Sequence, residues 1–185
     1  IGTGYIIIGN VIDTTYYSNQ TLVILNAQGT ELKQINLTDT LGTKPFIMSS
    51  VIKQDGILIL VGFHLQGATQ AARPQFIEID TSGSVLNSYT HFTSTYRIPV
   101  SMDYHEGKLF VCGYRGEASG SDKDAWVAVY DTQYNLLFET SLGDPEIFNS
   151  SESIVATPDG GFMVSYVADS LAYTGSYHSY FVKYD

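Results

Sequence analysis

A glycine-led apolar strand is written four times along this 185-residue chain, as Gly4-Tyr5-Ile6-Ile7-Ile8-Gly9, Gly56-Ile57-Leu58-Ile59-Leu60-Val61-Gly62, Gly107-Lys108-Leu109-Phe110-Val111-Cys112-Gly113 and Gly160-Gly161-Phe162-Met163-Val164-Ser165-Tyr166. The leading glycines at 4, 56, 107 and 160 lie 52, 51 and 53 residues apart. A period of about 50 residues carried by short strands constrains the fold strongly, because one such unit cannot bury its own apolar face and must stack on its neighbours. The pattern predicts an all-β chain folded as a β-propeller, each repeat supplying one four-stranded antiparallel blade.

A second strand follows in every repeat: Leu22-Val23-Ile24-Leu25-Asn26, Phe76-Ile77-Glu78-Ile79-Asp80, Val127-Ala128-Val129-Tyr130-Asp131 and Phe181-Val182-Lys183-Tyr184-Asp185. Each closes on Asn or Asp, and three run into a short turn, Ala27-Gln28-Gly29, Thr81-Ser82-Gly83 and Thr132-Gln133-Tyr134-Asn135. An Asx side chain bonds its own backbone two residues on, and Gly or Asn accepts positive φ, so these segments predict hairpins. The third strands, 31–35, 85–89 and 136–140, are more polar, as outer strands with one face in water should be. Fourth strands at 46–52, 100–104 and 153–157 lead back to the next glycine through turns such as Pro158-Asp159-Gly160-Gly161.

With the glycine-led strand called B, the chain reads B-C-D, A-B-C-D, A-B-C-D, A-B-C, in repeats near 4–55, 56–106, 107–159 and 160–185. That is about three and a half blades, and the expectation is an arc of a larger ring of roughly six to eight blades. The alternative is a four-bladed ring that does without two strands. Strands B and C, nearly continuous in apolar residues, should carry the inter-blade core through Ile7, Val23, Leu58, Leu60, Ile77, Phe110, Cys112, Val127 and Val129.

Composition then removes several functions. The chain has 19 acidic against 9 basic residues, a formal net charge of −10, and no Lys/Arg cluster. Nucleic acid and anionic membrane are poor partners for it, since phosphate binding is built on a basic footprint. No apolar run approaches the roughly 18 residues a membrane-spanning helix requires. Cys112, the single cysteine, sits in a B strand between Val111 and Gly113 and reads as a small buried hydrophobe instead of a nucleophile. His64, His91, His105 and His178 show no metal-ligand spacing, and no nucleophile elbow, Cys-x-x-Cys or phosphate loop occurs. No catalytic residue, metal or cofactor is therefore assigned. The run from Gly116 to Asp124 holds three carboxylates, but it has no ordered ligand spacing and includes Lys123, so it reads as a solvated loop before a Ca²⁺ site.

The stretch Ser153-Ile154-Val155-Ala156-Thr157-Pro158-Asp159-Gly160-Gly161-Phe162-Met163-Val164, with Phe181-Val182-Lys183-Tyr184-Asp185, resembles the repeat of secreted bacterial β-propellers common in Bacteroidetes. The third repeat matches through Gly113-Tyr114 and Val129-Tyr130-Asp131, and the first is degenerate. The resemblance implies an exported or cell-surface protein, extracellular or periplasmic. It implies no reaction, because a propeller is a scaffold and function lives in the loops grafted on it. O-glycosylation of the kind such bacteria perform would use Asp13-Thr14-Thr15, Asp39-Thr40-Leu41 or Asp169-Ser170-Leu171, triplets short enough to arise by chance.

Long B-to-C loops at 11–19, 64–74, 114–123 and 167–179 share one face of a propeller with the D-to-A loops at 38–44, 93–97 and 143–150. Binding residues gather on such loop faces. Tyr16, Tyr17, Tyr114, Tyr173 and Tyr177, with Arg73, Arg97 and Arg115, are the candidate binding residues, since Tyr and Arg make interface anchors and Tyr rings also stack on sugars. The alternative is that these tyrosines only pack over blade edges. The leading expectation is a non-catalytic scaffold presenting this face to a protein partner in a surface assembly. A glycan-binding propeller is the next, and an arc of a polysaccharide lyase or glycoside hydrolase the third. The last needs a carboxylate pair, or a His/Tyr/Arg cluster, converging near the axis.

Overall fold

The computed structural model describes residues 4–12, 18–37, 46–52, 56–66, 71–80, 82–91, 95–116, 123–144, 147–169 and 177–185. Their strands are β1 (Gly4–Ile12), β2 (Ser18–Asn26), β3 (Glu31–Asn36), β4 (Phe46–Ile52), β5 (Leu58–Gln66), β6 (Ala71–Ile79), β7 (Val85–Thr90), β8 (Tyr96–His105), β9 (Lys108–Gly116), β10 (Lys123–Asp131), β11 (Leu136–Leu142), β12 (Asn149–Ala156), β13 (Phe162–Asp169) and β14 (Tyr177–Tyr184). They form four antiparallel meanders, β1-β2-β3, β4-β5-β6-β7, β8-β9-β10-β11 and β12-β13-β14. These are propeller blades in the expected B-C-D, A-B-C-D, A-B-C-D, A-B-C order, and we number them 1 to 4. The B and C strands run further than their apolar segments, so the B-to-C connections shrink to 13–17, 67–70, 117–122 and 170–176.

The C-to-D turns are one structure built three times. Asn26 Oδ1 accepts from the backbone N–H groups of Gln28 and Thr30 at 3.0 and 2.9 Å. Asp80 Oδ1 takes Ser82 and Ser84 at 2.8 Å each, and Asp131 Oδ1 takes Gln133 and Asn135 at 2.9 and 2.8 Å. The residue before the last has positive φ: 78° at Gly29, 80° at Gly83 and 63° at Tyr134.

Two bulges recur with the same regularity. Every described A/B pair slips by one residue, between Ile47 and Ser49, Pro99 and Ser101, and Ser151 and Ser153. Met48, Val100 and Glu152 are thus the extra residues of the inner strands. Every C/D pair slips as well, leaving Leu32, Leu86 and Leu137 unpaired. A bulged residue leaves the pleat's alternation, and all three leucines stand exposed, at 64, 52 and 54 %.

Neighbouring blades meet face to face over apolar clusters. Leu22, Ile35, Leu58, Leu60 and Ile77 fill the space between blades 1 and 2. Ile59, Phe76, Leu109, Val111, Trp126 and Tyr130 fill that between blades 2 and 3, and Phe110, Cys112, Val127, Ile154, Phe162 and Val164 that between blades 3 and 4. Inner strands are also linked directly, the Met102 N–H donating to Ser49 Oγ at 3.2 Å and the Ile154 N–H to Ser101 Oγ at 3.5 Å.

The expected core holds in the B and C strands of blades 2 and 3 and fails in blade 1. Ile7 is 52 % exposed and Val23 only half-buried. Ile7 pairs with Val23 across β1 and β2, while Leu22 and Ile24 belong to the alternate face that packs on blade 2. An apolar strand buries both faces only where a sheet covers each, and the Ile7 face has no described blade against it. The same holds on blade 4, where Val155, Met163 and Phe181 point away from blade 3 and Phe181 is 75 % exposed. Among the described residues no helix is long and apolar enough to cross a membrane.

Candidate functional site

Five of the eight residues singled out from sequence are described by the structure, and these five lie on different faces of their strands. Tyr16, Tyr17 and Tyr173 lie outside the described residues. Arg73 belongs to β6, paired with His64 across the hairpin, and its charge together with partial burial lowers the His64 pKa, burial being the larger cause. Arg97 was expected on an exposed loop but is 8 % exposed. It sits in β8, where Nε and Nη2 both reach Glu139 Oε1 at 2.7 Å and the guanidinium lies 6.0 Å from the Trp126 ring. The Trp126 indole N–H donates to the same oxygen at 2.6 Å, so Arg97 braces blade 3 from within. Arg115 is directly opposite Arg97 in the ladder, and Asp124 approaches its Nε at 3.7 Å. Tyr177 is exposed at the start of β14, on the face turned away from blade 3.

Of the five described candidates, Tyr114 is the one with other ring and charged side chains grouped around it. In β9 it follows Phe110 and Cys112 by the two-residue pleat, so it faces blade 4 at the loop end of the inter-blade core. Tyr96 stands beside it, ring centroids 6.4 Å apart. Lys123 begins β10 diagonally across the ladder from Tyr114, and its ammonium lies 4.7 Å from the Tyr114 ring centre and 5.8 Å from that of Phe148, just before β12. From blade 4 comes Glu152, the bulged residue of the inner strand. Its charge raises the pKa of both Tyr114 and Cys112, though burial is the main cause in each and pushes the Cys112 thiol up to about 12. The thiol is therefore held neutral, in keeping with a packing role.

Blade 4 adds a stacked pair to the face it turns towards blade 3, Tyr166 on Tyr180 at 5.0 Å and 17°. Tyr166 takes the place that Gly9, Gly62 and Gly113 hold in the other B strands. At Gly113 a Cβ would come within 2.0 Å of the Ile98 carbonyl oxygen. The departure from the glycine pattern at Tyr166 was the sequence signal for this wall. Lys123, Phe148 and Glu152 carried none, since which face each occupies depends on the bulge and on strand starts.

The grouping offers aromatic faces, one ammonium and one carboxylate, carried on or beside strands fixed by their ladders. The second inner-strand carboxylate, Asp103, is held by the backbone: its two oxygens accept the N–H groups of Tyr104 and Ala156, each at 2.8 Å. Among the described residues no group of three or more His, Cys, Asp or Glu is placed to hold a metal ion.

Sequence comparison matches this chain to no family model and to no curated protein. Solved structures do match it. An endo-arabinase from Bacteroides thetaiotaomicron superposes with a TM-score of 0.60 at 12 % identity, over 100 % of this chain and 72 % of that one. A thermostable family-43 glycoside hydrolase gives 0.57 at 13 %, over 98 and 68 %, and a β-xylosidase/α-arabinofuranosidase from a compost metagenome, complexed with xylotriose, gives 0.56 at 12 %, over 99 and 67 %. The likeness is one of fold. It identifies the blades as those of a β-propeller, and at these identities it carries no residue roles across.

Proposed function

We propose that this chain is a carbohydrate-recognising propeller module, binding its sugar over the side chains grouped where blades 3 and 4 meet at their loop end. The observation that carries the reading is the grouping of Tyr96, Tyr114 and Phe148 with Lys123 and Glu152 at the loop end of that interface. A ligand site is typically an apolar and aromatic concavity with a few placed polar groups. Flat ring faces suit the C–H faces of a pyranose or furanose, and a carboxylate suits its hydroxyls. The structural neighbours are, by their own descriptions, an arabinase and a xylosidase/arabinofuranosidase, which favours a sugar over a peptide. Export to the cell surface fits the acidic, tyrosine-rich composition and the Bacteroidetes-type repeat.

Glycoside hydrolysis is the second reading, favoured by the same neighbours and by Glu152 on an inner-strand bulge, a device that re-aims side chains beside active sites. It requires a partner carboxylate roughly 5 to 9.5 Å away, and Asp103 is committed to backbone bonds. The scaffold for a protein partner expected from sequence has less to rest on, because its described residues fall on separate faces.

Titration calorimetry with xylotriose, arabinotriose and trigalacturonate tests the main reading. At least one should bind, and Tyr114→Ala should weaken it about tenfold, the loss of roughly 1.4 kcal/mol of stacking. Indifference of a bound sugar to that substitution would place the site elsewhere.

A further inference from the structure

The inference drawn here rests on the carbohydrate reading and concerns the charge of the sugar. In a chain of net charge −10, four of the seven described Lys and Arg side chains are engaged within the protein. Arg97 is bound by Glu139, Arg115 is met by Asp124, Lys183 lies between Asp159 and Asp185, and Lys33 donates to the Ser82 carbonyl. Lys123 differs. Its ammonium meets the ring faces of Tyr114 and Phe148, and among the described residues no carboxylate comes within ion-pair distance of it. An aromatic face answers the charge of an ammonium but accepts none of its three N–H donors in good geometry.

Polarity in this grouping is divided. Lys123 projects from β10 on blade 3, with Tyr96 and Tyr114 of β8 and β9 beside it, and Glu152 projects from β12 on blade 4. The strand ladders keep the two charges apart, since no ion pair joins them. A neutral sugar uses only the rings and Glu152. A sugar with its own carboxylate uses all of it: the carboxylate draws the ammonium off the Tyr114 face, the freed ring receives the sugar face, and the hydroxyls on the far side donate to Glu152. Charge-assisted N–H···O bonds of this kind are about twice as strong as neutral ones.

We propose that this grouping selects a uronic acid residue, with Lys123 as its counter-ion. The test compares trigalacturonate with its fully methyl-esterified form, which keeps the rings and hydroxyls and removes the charge. Calorimetry at low salt is run on the wild type, Lys123→Met and Lys123→Arg, each checked for unchanged circular dichroism. The acid should bind the wild type at least tenfold more tightly than the ester. Lys123→Met should abolish that difference by weakening the acid alone, and Lys123→Arg should restore most of it. Equal binding of acid and ester by the wild type, or equal weakening of both by Lys123→Met, would overturn the proposal while leaving carbohydrate binding intact. Binding of neither compound would remove the proposal, and a failure of xylotriose and arabinotriose as well would remove the underlying reading with it.

Discussion

Tyr134 separates two effects that most substitutions confound. It occupies the left-handed position of the blade 3 C-to-D turn, φ 63°, where blades 1 and 2 use Gly29 and Gly83. That conformation costs an L-residue about 1–2 kcal/mol. The cost is offset because the ring is buried between blades, stacked on Phe76 at 4.9 Å and on Tyr89 at 5.5 Å. Removing a buried aromatic ring costs about 3–5 kcal/mol. Tyr134→Ala loses the ring and keeps the strain, so it should destabilise by about 3–5 kcal/mol. Tyr134→Gly loses the same ring but relieves the backbone, for a net loss of about 2–3 kcal/mol after the entropy of glycine in the unfolded chain is counted. Urea unfolding followed by circular dichroism reads both. At about 2–4 °C per kcal/mol for a chain of this size, the glycine variant should melt some 5–10 °C below wild type and the alanine variant lower still. An alanine variant as stable as the glycine one would show that the strain is no larger than the entropic cost of glycine, and a glycine variant as stable as wild type would show that the ring contributes no more between the blades than the backbone gains.

Two further perturbations address charge. The pKa values of Asp80 and Asp131 are lowered, first by side-chain hydrogen bonds to Ser82 and Asn135 and then by backbone N–H groups of their turns, so their contribution to stability is present above the usual carboxylate range and is lost as pH falls through the lowered values. Asn26 builds the same turn without titrating, so Asp80→Asn with Asp131→Asn should leave the neutral-pH melting temperature nearly unchanged and make its decline below about pH 4 shallower; an unaltered acid limb in thermal melts would contradict this. Glu139→Ala strands the buried Arg97 guanidinium and the Trp126 N–H, and should destabilise by about 3 kcal/mol in denaturant unfolding, with Arg97→Met, Glu139→Met together recovering much of the loss.

What was legible in the sequence follows from what each signal reports. Strand order could be read because the C strands end in an Asx residue that closes its own turn, and because a glycine opens each B strand. Both are local chemistry. The faces could not be read, because a one-residue bulge reverses the alternation beyond it: the inner-strand bulges at Met48, Val100 and Glu152 share no residue type, and the leucine shared by the outer-strand bulges at 32, 86 and 137 reads in sequence as an ordinary apolar strand residue. Parity then decided the site. Arg97 and Arg115 share a ladder rung while Tyr114, one residue from Arg115, points to the opposite blade. Arg97 looked like a loop cation because its partner Glu139 lies 42 residues on, in the outer strand of its own blade. Ile7 looked like core because an apolar run says that two faces are greasy and says nothing of whether a sheet covers each.

The serine links between inner strands have a further consequence. Ser49 receives the N–H of Met102 and Ser101 that of Ile154, each 53 residues on. The two links are the same stitch advanced by one blade, with Ser101 standing to Ile154 as Ser49 stands to Met102. A blade cut out or duplicated between equivalent points of neighbouring units would therefore bring its own serine to one neighbour and its own N–H to the other, leaving no half-made link at the seam. Length in such a chain can change by a whole unit without a new contact having to be invented.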